Sequence, residues 1–423
     1  MKFVIKTLGC KVNQSESEEL ANSLMERGFL PAASLEDADL TIINTCTVTA
    51  VADAKARQLV SKALKSTGGK VIVTGCGVDN PNSGLEKFIK NVEYLPRGPV
   101  AAGYIPSVLG SEILRSRGAI SSPPRGWNIS TPRHPSARTR PFLKIQDGCS
   151  HHCSYCIVPL VRGESQSIPL REVVKKAKVL LERGYKEIVL TGVDIGAYKS
   201  SNLSLAKLIK QILALQDGFR IRLSSIEPQS LDEQFISYFA GEERICSHIH
   251  LPLQSGSDRV LKLMNRPYNV EYFKELAAKL KCLREGIAIT TDIIVGFPGE
   301  SEGDFEATKA LVQEVGFART HIFRYSPRQS TDAAGFNKQV SAKVKKERAG
   351  ELSLIAKNLS EKYKSAQVGK IAEVLIERPD GKYLKGTSSN YCPVYVEDKV
   401  GKGELVKVAV GDYKEERLFA KLV

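Results

Sequence analysis

Three short apolar runs, residues 2–6, 40–44 and 70–74, are each closely followed by a cysteine (Cys10, Cys46 and Cys76) and are separated by stretches of helical periodicity. The pattern predicts β-α-β-α-β, and a parallel sheet built this way brings the carboxyl ends of its strands to one edge, where ligands usually bind. Cysteines far apart in sequence are therefore expected to converge. Asn13 and Ser15 are candidate caps for the first helix, which runs to Gly28, and Ser15 with Glu18 fits a capping box. A second helix is expected over 51–65.

A second set lies together at Cys149, Cys153 and Cys156, spaced C-x3-C-x2-C in DGCSHHCSYCIVP. Each set supplies three thiolates. A four-iron cubane ligated by three cysteines keeps one iron open to bind something that reacts. Nine cysteines suit metal ligation or core packing better than disulfides if the compartment is reducing. A cytoplasmic chain is expected, because the start MKFVIKTLGC is unlike a secretory leader and no run of about 18 apolar residues occurs.

At 423 residues the chain exceeds one ordinary core, so two or three domains are expected. The first spans 1–96. Residues 97–140 dissolve into Gly, Pro, Ser and Arg and read as a linker. Regular alternation returns over 141–365, with strands at 142–146, 187–191, 219–224, 247–252, 287–295 and 319–323. Helical stretches such as 170–183, 203–215, 270–285 and 302–315 lie between them, and the six β/α units suggest a partial parallel barrel with its chemistry at the strand carboxyl ends. A charged helix at 341–364 follows. The remainder, 366–423, carries five short strands at 370–377, 383–387, 394–397, 405–410 and 418–422, and reads as a small all-β barrel. The fold class is thus α/β with a terminal β module.

The cysteine loop follows the first expected barrel strand, and with Tyr155 before its third cysteine it resembles the radical S-adenosylmethionine superfamily. LGCKVNQSE, NTCTV and VTGC upstream, with DGCSHHCSYCIVPLVRG, LTGVDIGAY, HLPLQSGSDRVLKLMNR and DIIVGFPGE, resemble the methylthiotransferases nearly end to end. The terminal module, with EVLIE, GKYLKGTSSNY and VYVE, resembles the RNA-binding TRAM domain. This resemblance implies two 4Fe-4S clusters, one held by Cys149, Cys153 and Cys156, the other by Cys10, Cys46 and Cys76. It also implies S-adenosylmethionine, used once to methylate sulfur on the second cluster and once to make a 5′-deoxyadenosyl radical that removes hydrogen from the substrate. The need for two clusters is intelligible, since an aromatic C–H has no leaving group and a carbon radical must be made and then trapped by sulfur. The other readings are a zinc site completed by His151 or His152, and three buried core cysteines upstream. Cys246, Cys282 and Cys392 are assigned to packing.

By analogy with the superfamily, Tyr155 packs near the adenine, Thr191 and Gly192 face the methionyl amine, and Glu227, Gln254 and Ser255 lie where ribose or carboxylate contacts occur. Gly296, within Val295-Gly296-Phe297, backs the adenine. Asp194 reads equally as a solvated loop carboxylate or a substrate contact. The family often has Ser-Arg after its Arg-Gly pair, but here Arg162 and Gly163 precede Ser167-Ile168, leaving the role of that arginine open.

A net charge of +14 favours a polyanionic partner. Between Arg97 and Lys144 stand eight Lys or Arg against one acid, Glu112. Arg115, Arg117, Arg125, Arg133, Arg138 and Arg140 are candidate phosphate contacts, and Trp127 and Tyr104 candidate stacking platforms; the same charge would also keep a linker soluble. Lys382, Tyr383, Lys385 and Tyr391 are candidate RNA contacts in the terminal module. LGCKVNQ and NTCTVT look most like the enzymes specific for N6-threonylcarbamoyladenosine, whose expected partner is the anticodon loop of ANN-decoding tRNA. A GCQMN-like start is commoner in the isopentenyladenosine type. A ribosomal-protein aspartate is a further substrate within the family, and a metal-containing RNA-binding protein without turnover is the reading of another class. A low-potential electron donor and a sulfur source are implied, and no membrane partner is expected.

Overall fold

The computed structural model describes residues 1–95, 97, 138–397 and 399–423. The chain opens with an all-parallel sheet of order Leu30–Pro31, Lys2–Thr7, Leu40–Thr45, Lys70–Gly75, Glu93–Tyr94. Strand alternation sends Phe3, Leu40, Ile42 and Ile72 to one face, against Leu20 and Leu24 of helix α1 (Lys11–Glu26). Val4, Ile43, Val71 and Val73 go to the other, against Ala56, Val60 and Ala63 of helix α2 (Ala50–Ser66). The expected β-α-β-α-β order holds.

The predicted start of the first helix does not. Its N-cap is Cys10, and Asn13 and Ser15 lie buried inside it. The Asn13 side chain is used elsewhere: its amide donates to Asn44 Oδ1 (3.1 Å) and to the Thr45 carbonyl (2.8 Å), tying the helix to the neighbouring strand. Glu18 reaches Arg138 instead of a helix-end N–H.

Six further parallel strands follow: Phe142–Lys144, Glu187–Thr191, Arg220–Leu223, His248–His250, Ala288–Val295 and Arg319–Arg324. They pair in chain order in two groups of three, which single bridges from Ile221 to Ile245 and from Ser225 to His250 join. Ile188, Leu190, Ile221, Leu223, Ile249 and Ile289 meet Phe235, Phe239, Phe273 and Phe305 in the largest core. Each such side chain contributes about 1.5–3 kcal/mol on burial. Alternate residues of the same strands, among them Glu187, Arg220, Arg222, His248, His250 and Asp292, line the opposite face. Helix Ala342–Ser365 then leads into a closed five-stranded barrel of Ile371–Asp380, Tyr383–Ser388, Pro393–Val396, Arg417–Leu422 and Leu405–Lys414, in spatial order. Closure leaves no strand edge for another chain to pair with.

A buried ionic hub fastens this barrel to the parallel strands. The Glu187 carboxylate accepts from Arg222 (2.6 Å) and Arg220 (2.8 Å), whose other N–H groups reach the carbonyls of Thr387, Ser388 and Ser389. Burial alone would raise the Glu187 carboxyl, but Arg222 and Arg220 outweigh it and hold it at about 2. Because the folded value lies below the ordinary one of 4.5, stability from this group is present above that value and lost as pH falls through about 2. Urea midpoints are expected to be insensitive to Glu187 from neutral pH to about 4.5 and to fall below it. Glu187→Gln should weaken the fold and remove that part of the slope.

Cys246 and Cys392 are buried, as assigned, but Cys282 is exposed. The helix Val270–Leu283 buries Phe273, Leu276, Ala277 and Leu280, and Cys282, two residues past Leu280, falls on the opposite side. Arg115, Arg117, Arg125, Arg133, Trp127 and Tyr104 lie outside the described residues.

Candidate functional site

The upstream cysteines sit at one edge because the strands before them are in register. Asn44 pairs with Thr74 and Thr45 with Gly75, so Cys46 and Cys76 leave the sheet side by side. Cys10 follows the turn at Gly9, whose φ is +112° and whose Cα is so close to Cys46 that an added Cβ would stand 2.8 Å from the Cys46 Cβ. A side chain at Gly9 would separate the two cysteines. Cys10 Sγ lies 3.2 Å from Asn13 Oδ1, while Cys46 and Cys76 are buried. Burial pushes the Cys76 thiol up to about 12. A thiol so placed keeps its proton until a cationic centre binds its sulfur and displaces the proton to solvent.

The second loop hangs between the first two parallel strands. Ser154 pins it by donating its N–H to the Met264 carbonyl and accepting from the Ala333 N–H. Burial raises the Cys149 thiol to about 11 and Cys156 to about 12. Arg266 Nη1 donates to Cys153 Sγ at 3.1 Å, and its Nη2 to Glu227. His151 bonds Asp194 at 3.1 Å and His152 is exposed, so the imidazole expected in a zinc reading is engaged elsewhere. Among the described residues no three His, Cys, Asp or Glu side chains enclose a single-ion site. A cubane takes each thiolate on a different iron, so three thiols need not close on a single ion to hold one.

Arg162 joins the two sets. It lies on the short helix Val158–Arg162 directly after the cysteine loop and is buried. Its Nε donates to Cys76 Sγ at 3.1 Å, Nη1 to Asp147 at 2.7 Å and Glu16 at 3.1 Å, and Nη2 to Asn13 Oδ1 at 2.9 Å. Lys144 completes the arrangement, 2.8 Å from Glu16 and 2.7 Å from Asp147. Cys76 itself packs against Ile157 and Val161, the first of which is the neighbour of Cys156. A second tie comes from the other end of the strand series, where Arg328 bonds Thr47 (3.1 Å) and Asp53, next to Cys46. The cysteine edge of the first sheet thus faces the cysteine loop.

The remaining expected positions divide. Tyr155 is partly buried and stands edge-on to Phe297, ring centroids 6.3 Å apart. Thr191 ends its strand with a buried hydroxyl that has no hydrogen-bond partner among the described residues. Gly192 is closely approached by Gln146, an added Cβ standing 2.7 Å from its Oε1, and that oxygen accepts the N–H groups of Val193 and Asp194. Gln254 has φ +70° and bridges to Ile293 through its backbone. Ser255 turns to the scaffold, its hydroxyl receiving the Ser257 N–H and facing Thr308. Gly296 has φ +71° and lies under Lys345, whose Cγ leaves 2.3 Å for a Cβ. Asp194 is neither solvated nor free: it is buried and holds His151, Ser230 Oγ and the N–H groups of Gly196 and Glu227. Arg266, Gln146, Glu16 and Lys144 escaped the sequence reading. Arg266 had one signal, its place in the HLPLQSGSDRVLKLMNR motif.

Residues 143–312 match the model of the radical SAM superfamily, and residues 2–95 that of the uncharacterized protein family UPF0004. The threonylcarbamoyladenosine tRNA methylthiotransferase MtaB of Thermotoga maritima is 36% identical over 99% of this chain and 94% of its own length. The chain belongs to the radical SAM methylthiotransferases. MtaB of Bacillus subtilis is 35% identical over 99% of this methylthiotransferase and 96% of its own length. The tRNA-2-methylthio-N(6)-dimethylallyladenosine synthase of Thermodesulfovibrio yellowstonii is 32% identical, covering 96% and 95%. Among solved structures, the radical S-adenosylmethionine methyltransferase TsrM of Kitasatospora setae superposes with a TM-score of 0.57 at 16% identity, over 79% of this chain and 77% of that one. That likeness concerns the fold alone.

Several basic and aromatic candidates have other employment in this methylthiotransferase. Arg138 pairs with Glu18, and Arg140 with Glu377 at 2.8 Å. Tyr391 is drawn into the junction, its ring 4.6 Å from that of His248 and 4.7 Å from the Arg222 guanidinium. Lys382, Tyr383 and Lys385 stay together on the terminal barrel, with Lys382 over the Tyr383 ring and Lys385 over Tyr395. Among the described residues no helix is long and apolar enough to cross a membrane.

Proposed function

We propose that this methylthiotransferase acts in the cytoplasm on tRNA, converting N6-threonylcarbamoyladenosine at position 37 to its 2-methylthio derivative. The observation that carries the reading is Cys76 seated against Ile157 and Val161 with Arg162 on its sulfur, which brings the two thiol sets to a common space. Cys10, Cys46 and Cys76 would hold one 4Fe-4S cluster, and Cys149, Cys153 and Cys156 the other, together with S-adenosylmethionine. When bound, these groups supply one-electron chemistry at an unactivated C–H and sulfur for the new C–S bond. The protein's part is placement. Arg266 orients Cys153 and Glu227, Gln146 shapes the loop at Gly192, and Tyr155 with Phe297 forms an aromatic wall.

The domains run 1–96, 97–140, 141–365 and 366–423, with the six parallel strands as a partial (β/α)6 barrel and the closed terminal barrel as a TRAM module. Lys382, Tyr383, Lys385 and Arg417, the last two lying over the buried Tyr395 ring, give that module a basic face suited to nucleic acid. Relatives at 35–36% identity named for threonylcarbamoyladenosine support the substrate, in the anticodon loop of ANN-decoding tRNA. The dimethylallyladenosine synthase at 32% identity is the observation that favours an isopentenyl substrate instead. Nucleoside mass spectrometry of tRNA from a strain lacking the gene decides between them. Loss of 2-methylthio-threonylcarbamoyladenosine, with its unthiolated precursor accumulating, is expected; loss of the isopentenyl analogue would reverse the assignment.

A further inference from the structure

The threonylcarbamoyl substituent ends in a carboxylate, whereas an isopentenyl group is a hydrocarbon. A site that selects the former inside protein needs a cation whose donors are not already committed. At the junction of the first sheet with the polar face of the parallel strands, Lys11, Arg140, Arg222 and His248 gather around Tyr391. Arg222 spends four of its five N–H donors on Glu187 and the carbonyls of Ser388 and Ser389. Arg140 is held by Glu377. His248 shares its Nε2 with the Thr290 hydroxyl at 3.1 Å.

Lys11 differs. Among the described residues its ammonium makes no hydrogen bond and no ion pair, and it stands 5.8 Å from the Tyr391 ring centroid. It is partly buried at the first position of α1, directly after Cys10, so its backbone belongs to the thiol edge while its four-carbon stem carries the ammonium toward Tyr391, the ring that also packs on His248. Beside it, His248 Nδ1 is buried and has no hydrogen-bond partner among the described residues. An ammonium has three donors, and a lysine kept half out of water with none of them used is suited to an anion that arrives with the substrate.

We infer that Lys11 is the specificity-determining group that receives the carboxylate of the threonylcarbamoyl substituent, an assignment that rests on the substrate reading above. The test titrates the cluster-loaded enzyme with anticodon stem-loops bearing threonylcarbamoyladenosine, its methyl ester or isopentenyladenosine. A charge-assisted contact predicts that wild type binds the acid about 10–100-fold more tightly than the ester. In Lys11→Gln that ratio should fall to near one, and Lys11→Arg should restore part of it. Affinity for the ester should be alike in all three proteins, a result that a folding defect would not give. An undiminished ratio in Lys11→Gln overturns the assignment while leaving the substrate reading intact. Wild-type preference for the isopentenyl stem-loop over both others overturns the substrate reading and the assignment with it.

Discussion

Alanine at Cys153 is expected to reduce release of 5′-deoxyadenosine from S-adenosylmethionine to background, whereas alanine at Cys46 leaves that release substantially intact and ends methylthiolation. The two cysteines belong to different loops with different supports. Cys153 sits among Cys149, Cys156, Arg266 and Glu227, next to Tyr155 and Phe297. Cys46 sits across Gly9 from Cys10, on the sheet edge. Removing one of three thiolates from a site disables that site, and the neighbouring loop keeps its own ligands. Chromatographic quantitation of 5′-deoxyadenosine beside mass spectrometry of the product nucleoside gives both readings from one reaction. Equal partial losses in both variants would refute the division of roles.

Replacing Arg162 with methionine is expected to cost about 3–5 kcal/mol of folding stability, the range for breaking a buried ion pair by removing one partner. The guanidinium serves Cys76, Glu16, Asp147 and Asn13 at once, and without it two carboxylates face Lys144 alone. Lysine should not rescue, because a single ammonium cannot reproduce a planar fork reaching four acceptors. Chemical denaturation followed by circular dichroism measures the loss. The second expectation is functional: with the bridge gone the two cysteine sets lose their fixed separation, so product formation should fall further than 5′-deoxyadenosine release. Wild-type stability together with an unchanged ratio of the two products would show that the bridge does neither job.

The sequence pattern located the strands of three or more residues to within a few positions, because the apolar runs at 40–45, 70–75 and 187–191 have one reading as buried parallel strands, while two-residue strands such as Leu30–Pro31 and Glu93–Tyr94 were missed. The cap of the first helix was misplaced for a physical reason. Asn13 has the chemistry of a cap, but the neighbouring strand offers it Asn44 and Thr45, and that tertiary use prevails. Tyr391 was a candidate RNA contact because it lies in GKYLKGTSSNY, a segment that resembles the RNA-binding TRAM domain. The fold instead turns it into a cluster of cations, which no local pattern could show. Asp194 looked like a loop carboxylate and proved to be a buried acceptor of four groups from three segments.

What the sequence determined by itself was the chemistry available: two sets of three thiols, each following a strand, and a motif set spanning the chain. Those are matters of residue type and spacing, and spacing places a side chain within its own element. What only the tertiary structure decided was which elements meet. Arg162 reaching Cys76 across 86 positions, and Arg220 and Arg222 reaching the carbonyls of Thr387, Ser388 and Ser389, are contacts between segments far apart in sequence, and the same packing leaves Lys11 without a counter-ion among the described residues. Their partners are chosen by packing and by the need to satisfy buried charge, quantities that exist only once the domains have come together.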